Sequence, residues 1–179
     1  MQVRDATTSD GEACAAIYAP YVLDTAISFE AEPPAAAEMS ARIEAALATH
    51  AWLVAEEADQ LVGYAYGSQF RAREAYRRSC EVSVYLDRER RAQGVGRLLY
   101  TALLDRLAAR GLHTAVAGYT LPNPGSERLH QSLGFEPVGV YRDIGFKFGT
   151  FHDVAWVQRQ LDPAPDRQLR APSGSSGRK

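Results

Sequence analysis

The feature that most constrains this chain is a short run, Arg91-Ala92-Gln93-Gly94-Val95-Gly96-Arg97-Leu98-Leu99, set between two segments of different periodicity. Before it, Glu81 to Leu86 alternates strictly, Val82, Val84 and Leu86 toward one side and Glu81, Ser83 and Tyr85 toward the other, which predicts a strand. After it, Val95, Leu98, Leu99, Ala102, Leu103 and Leu107 share the inner face of a predicted helix over Val95 to Arg110, with Gly111 as its stop. Gly94 and Gly96 remove side chains that would keep a phosphate from the backbone, and the first N–H groups of a helix have no intrahelical partner. Taken alone, Gly-x-Gly reads as a plain tight turn. Between a strand and a helix start, those donors and the helix dipole form an anion site. Two rival phosphate motifs are set aside: no G-x-x-x-x-G-K-[ST] occurs, and Leu99 stands where a dinucleotide fingerprint has Gly or Ala.

The remaining pattern predicts one α/β domain over residues 1–161, as suits 179 residues that are 46% hydrophobic and 23% charged. Val3 to Ala6 reads as a first strand, Ser9 and Glu12 as a capping box opening a helix that Pro20 limits, and Met39, Ile43 and Leu47 as the apolar stripe of a second helix ending near His50. Trp52 to Glu56 and Leu61 to Gln69 form a predicted hairpin, and the arginine-rich stretch after it reads as a loop or broken helical turn. Thr114 to Tyr119 is a further strand, Asn123-Pro124 an N-cap with proline at the first helical position, and Gly134 the stop of that short helix. Glu136 to Tyr141 and Phe151 to Gln160 are the last strands, with the glycine-punctuated Gly145 to Gly149 between them. Residues 162–179, rich in Pro, Ser, Gly and Arg and without periodicity, read as a disordered tail.

A net charge of -2 provides no general field for nucleic acid or an anionic membrane, and no stretch approaches the roughly 20 apolar residues of a span. Cys14 and Cys80, far apart and in no C-x-x-C arrangement, suggest neither a disulfide framework nor a metal site. These features predict a soluble cytoplasmic protein with no metal, no nucleic-acid partner and no membrane contact.

The glycine run in its context resembles the acyl-CoA pyrophosphate loop of the GNAT superfamily of N-acetyltransferases. Within it, the chain is similar to the phosphinothricin and methionine sulfoximine acetyltransferases through Arg71-Ala72-Arg73-Glu74-Ala75-Tyr76, Glu81-Val82-Ser83-Val84-Tyr85, Leu121-Pro122-Asn123, Gly145-Phe146-Lys147-Phe148-Gly149 and His152-Asp153-Val154. These ordered blocks, covering nearly all the chain up to Leu161, are far more specific than the glycines alone. The resemblance implies a central mixed, mostly antiparallel sheet with a splayed pair of strands, flanked by helices. It also implies acetyl-CoA as co-substrate, a small amino-acid-like acceptor and a homodimer.

By the same resemblance, acetyl-CoA is held by Val84, Tyr85 and Leu86 of the splayed strand, by Arg91, Ala92, Gln93, Gly94, Val95, Gly96 and Arg97 of the loop, and by Asn123 and His130 of the later helix. Many members carry tyrosine as general acid where this chain has His130, leaving that histidine either as proton donor or as a CoA contact. Glu81 taken alone is a solvated strand glutamate; beside the proposed CoA strand it becomes the candidate base, because an ammonium nitrogen has no lone pair with which to attack a thioester. Arg71, Arg73 and Tyr76 are candidates for the acidic groups of the acceptor, with Phe29, Ile27 and Lys147 as weaker ones. His152 and Asp153 read as an internal polar pair ordering a strand.

With no activated cysteine or serine, direct attack in a ternary complex is expected. Two alternatives stay open. One is a GNAT enzyme acting on a protein N-terminus, a polyamine or an antibiotic, although the basic loop argues against cationic acceptors. The other is a non-catalytic acyl-CoA sensor, which would need no base.

Overall fold

A computed structural model of the chain describes residues 1–89 and 94–161; the tail expected over 162–179 and the loop residues Arg91, Ala92 and Gln93 lie outside them. Seven strands form one sheet in the order β1-β2-β3-β4-β5-β7-β6. They are β1 (Gln2–Asp5), β2 (Trp52–Glu57), β3 (Gln60–Gln69), β4 (Ser79–Leu86), β5 (Thr114–Thr120), β6 (Glu136–Lys147) and β7 (Thr150–Gln160). Every neighbouring pair is antiparallel except β4 with β5. The helices are α1 (Gly11–Asp24), α2 (Ala36–Thr49), α3 (Val95–Ala109) and α4 (Pro124–Ser132).

Strand alternation distributes two cores over the sheet's faces. Leu53, Ala55, Ala65, Cys80 and Val82 meet Leu99, Leu103 and Leu107 of α3 on one face. Trp52, Val54 and Tyr64 meet Val22 of α1 and Met39 and Ile43 of α2 on the other. Because both faces of β4 are covered, Tyr85 is packed too, edge-on against Tyr18 and Tyr21 of α1.

Several expectations are corrected. α1 runs through Pro20 to Asp24, since a proline forfeits one N–H bond while packing of Ile17, Tyr18 and Val22 holds the helix on both sides of it. The chain enters α1 through a short 3-10 turn opened by Thr7 and Asp10, in place of Ser9 and Glu12: Thr7 N–H donates to Asp10 Oδ2 at 2.7 Å. Asp10 is then clamped by both terminal nitrogens of Arg4, each at 2.8 Å. In α3 the inward face is rotated, with Leu98 44% exposed and Tyr100 and Leu104 buried instead. Gly145 to Lys147 belong to β6, and only Phe148 and Gly149, both at positive φ, make the turn into β7.

Candidate active site

The site arises where the one parallel pair separates. β4 and β5 are paired at Ser79–Thr114, Cys80–Ala115 and Glu81–Val116, and no further, although both strands continue. On its other edge β4 stays in register with β3 up to Leu86. Asp87 N–H donates to Val62 O at 3.0 Å, and donors alternate along an antiparallel strand, so Tyr85 and Ser83 spend their backbone groups on β3 while Leu86, Val84 and Val82 turn theirs toward the gap. Tyr21 Oη donates to Leu86 O at 2.7 Å and Tyr100 Oη to Val82 O at 3.3 Å, both from that side. Of the three β4 residues named from sequence, Val84 thus presents N–H and C=O to the gap, and the Tyr85 backbone does not.

At one end of the gap stands the start of α3. Gly94 caps it at φ 92°, a left-handed conformation that favours glycine, and no atom lies within 4 Å of where its Cβ would be. The first intrahelical bond is Leu98 N–H to Gly94 O at 2.9 Å, so the N–H groups of Val95, Gly96 and Arg97 precede the ladder. A Cβ on Gly96 would stand 3.3 Å from Leu129 Cδ2 of α4, so the first turn of α3 lies close against the body of α4. An open, positively polarised helix end beside an unpaired strand edge fits the diphosphate and the extended amide arm of an acyl-CoA. Asn123 serves α4 itself: its Oδ1 accepts from Ser126 N–H at 3.0 Å.

Glu81 sits at the fork, on the face opposite α3. It borders a cavity of about 330 Å3 with Ile27, Phe29, Tyr141, Ile144 and Trp156, and desolvation raises its pKa above the ordinary glutamate value. A carboxylate so placed is a stronger base than one in water. The segment carrying Ile27 and Phe29 is fastened on all sides. Thr120 Oγ1 donates to Ala26 O at 2.7 Å, Tyr18 Oη lies 2.6 Å from Ser28 Oγ, and Arg42 grips both oxygens of Glu30 at 2.7 and 2.9 Å. Phe29 lies where Gly145 has no side chain: a Cβ there would fall 2.1 Å from the Phe29 ring.

Lys147 belongs to this fastening. Its Nζ donates to Val22 O and Ser28 O, each at 2.6 Å, which occupies two of its three N–H groups in holding the segment. His152 and Asp153 are not a pair: His152 Nε2 lies 3.1 Å from Lys147 O, and Asp153 binds Arg142 and the Asp143 N–H, so each orders the β6–β7 hairpin separately.

Arg71 and Tyr76 line a different cavity, of about 570 Å3, with Phe70, Val116 and Trp156. The Arg71 guanidinium lies 5.1 Å from the Phe70 ring centroid and 5.9 Å from that of Tyr76. Trp156 borders both this cavity and that of Glu81, so the two adjoin across its ring. Arg73 is exposed at the head of the short turn Glu74–Tyr76 and borders neither.

His130 is 3% exposed. Its ring is enclosed by Tyr100, Tyr119 and Phe135 at centroid distances of 5.4, 5.5 and 5.0 Å. Nδ1 lies 2.7 Å from Ser126 O, which can only accept, so Nδ1 carries the proton; among the described residues Nε2 has no partner. Burial lowers its pKa, keeping the ring neutral. In this geometry the Nδ1 proton is directed at a backbone carbonyl. Sequence reasoning misses Tyr119 and Trp156: both are aromatic positions on predicted strands, and nothing in a period of two marks them as facing a gap or joining two cavities.

The comparisons with known proteins agree with this geometry. A family model described as an acetyltransferase (GNAT) domain matches residues 3–156. The phosphinothricin N-acetyltransferase of Streptomyces coelicolor is 39% identical over 175 residues, covering 90% of this chain and 96% of the relative. The L-methionine sulfoximine/L-methionine sulfone acetyltransferase of Pseudomonas aeruginosa is 36% identical over 163 residues, covering 90% and 95%. Among solved structures, the acetyltransferase yncA of Salmonella typhimurium with its cofactor acetyl-CoA superposes with a TM-score of 0.87 at 34% identity, covering 93% of this chain and 98% of that one.

Proposed function

We propose that this chain, which belongs to the GNAT acetyltransferase family, moves acetyl from acetyl-CoA to the amino group of a small amino-acid-like acceptor such as phosphinothricin or methionine sulfoximine or sulfone. The observation that carries the reading is the fork itself: a desolvated carboxylate, Glu81, at the point where β4 and β5 part, with Val84 facing the gap and the open start of α3 at its end.

In this reading the α3 N-terminus and its preceding loop bind the diphosphate, and Val84 N–H donates to the thioester carbonyl oxygen, where charge develops on attack. The acceptor amine enters the Glu81 cavity and Glu81 takes its proton, directly or through water. Attack is direct, within a ternary complex. Cys80 and Cys14 support this negatively, since burial pushes both thiols up to about 12 and leaves neither as a nucleophile at neutral pH.

Arg71, across Trp156 from Glu81, is then the cation best placed for an acidic end of the acceptor. A homodimer belongs to the same reading. β6 is the edge strand of the sheet, and Val138, Tyr141, Ile144, Phe146 and Phe151 of the β6–β7 hairpin are each more than half exposed, an apolar face of the kind a second copy covers. Two unpaired buried thiols suit a reducing cytoplasm.

The test is a panel of amino-acid acceptors assayed by release of the CoA thiol. Turnover with phosphinothricin, methionine sulfoximine or methionine sulfone supports the reading. Turnover confined to polyamines, aminoglycosides or peptide N-termini, or none with tight acetyl-CoA binding, selects an alternative instead.

A further inference from the structure

On the face of the sheet that carries Glu81, β5 and β7 form the floor beyond the fork, and one side chain interrupts it. Gly118 of β5 pairs with Trp156 of β7, so the two residues share that face with Val116, the partner of Glu81. Gly118 has no side chain, and the indole lies across it: a Cβ there would stand 3.2 Å from Cε2 and Cζ2 of the ring. The other aromatic neighbours of the indole are Phe70, at a centroid distance of 6.2 Å, and Tyr141, at 6.4 Å, both edge-on. Gly118 borders the cavity of Glu81 and not the larger one, while Phe70 borders the larger one and not that of Glu81. An indole that packs on one residue from each is the ridge between them.

The walls of the Glu81 cavity differ in how they are held. Phe29 stands on a segment fastened by hydrogen bonds from Thr120, Arg42 and Lys147. Trp156 has no such fastening. Among the described residues its buried Nε1 has no hydrogen-bond partner, so packing on Gly118, Phe70 and Tyr141 sets the height of the indole above the sheet. Beyond the ridge, Phe70, Tyr76, Val116, Val138 and Val140 offer an apolar surface on which a large ring could lie.

We infer that Trp156 determines acceptor specificity: its indole admits amino acids with slender, unbranched side chains at Glu81 and turns away those with large aromatic ones. This rests on the acetyl-transfer reading. A slender chain passes over the ridge toward Arg71, whereas a flat bicyclic ring is as wide as the indole and collides with it. Deleting the indole joins the two cavities and vacates the volume of such a ring. Adding a Cβ at Gly118 does the opposite, lifting the indole by a few tenths of an ångström and raising the ridge.

The experiment compares kcat/KM for methionine sulfone, phenylalanine and naphthylalanine in wild type, Trp156→Ala and Gly118→Ala. In Trp156→Ala the ratio of naphthylalanine to methionine sulfone should rise roughly tenfold or more, since a single methylene in an apolar pocket is already worth about that much. In Gly118→Ala the ratio of phenylalanine to methionine sulfone should fall below the wild-type value. General loosening of the site would instead move all acceptors together and leave the ratios where they were. An unchanged ratio in Trp156→Ala, or a rise in both variants, would overturn the assignment. Trp156→Leu carries the same test if the alanine variant does not fold. Wild type turning over no amino acid would sink the acetyl-transfer reading. The Kd ratios of the same compounds, from calorimetry on coenzyme A-loaded protein, would then judge the ridge, and binding of none of them would overturn it as well.

Discussion

Replacing Glu81 by Gln keeps the shape of the side chain and removes its ability to accept a proton. General-base catalysis contributes on the order of a hundred- to ten-thousandfold, which is about 2.7 to 5.4 kcal/mol of barrier. The structure favours the upper half of that range, because among the described residues Glu81 is the sole carboxylate bordering its cavity. The assay is acceptor-dependent thiol release at saturating acetyl-CoA, with acetyl-CoA affinity measured separately and expected to be unchanged. Raising the pH supplies more free amine and should partly rescue the variant. A stability control follows from the same desolvation. The Glu81 pKa is raised in the folded state, so its protonated form is the one folding favours, and that contribution is lost as pH rises through the folded value. The Gln variant should therefore melt higher than wild type at neutral pH, and the two should converge below about pH 4, where the unfolded carboxyl is protonated as well. A folded variant with wild-type kcat at neutral pH would refute the reasoning and remove Glu81 from the mechanism.

Gly96→Val should weaken acetyl-CoA binding in titration calorimetry by tenfold or more, since branched carbons would stand at the α3 start with a Cβ already 3.3 Å from Leu129; unchanged affinity in a folded variant would argue against the loop. Lys147→Met should cost about 1–3 kcal/mol in denaturant unfolding by leaving the Val22 and Ser28 carbonyls unpaired, and should raise acceptor KM more than acetyl-CoA KM through the loosened Phe29 segment. Burial holds the pKa values of His130 and His50 below the ordinary histidine value, so the unfolded chain takes up protons first as pH falls. Tm should thus decline from about pH 6.5 downward, and a His50→Gln/His130→Gln pair should flatten that slope.

The sequence by itself determined the order of elements and the family, because both are written in local patterns. Val95 to Leu107 repeats with a helical period, Asn123-Pro124 opens a helix by its own side-chain bond, and Ala58-Asp59 turns a hairpin in place. Glu81 was legible as a candidate for the same reason, as a polar position on an alternating strand next to a glycine loop. What only the tertiary structure decided are relations between residues far apart in the chain. Lys147 bonds carbonyls at Val22 and Ser28, more than a hundred positions away, and nothing local in Gly-Phe-Lys-Phe-Gly distinguishes that duty from binding an acceptor. Pro20 looks like a helix end until the packing of Ile17 and Val22 outweighs one missing hydrogen bond. That His130 Nδ1 donates to Ser126 O, and that β4 and β5 stop pairing after Glu81 and Val116, are likewise relations no local pattern records. Periodicity reports which side of an element is apolar; where two strands stop pairing depends on what packs between them, and that belongs to the whole fold.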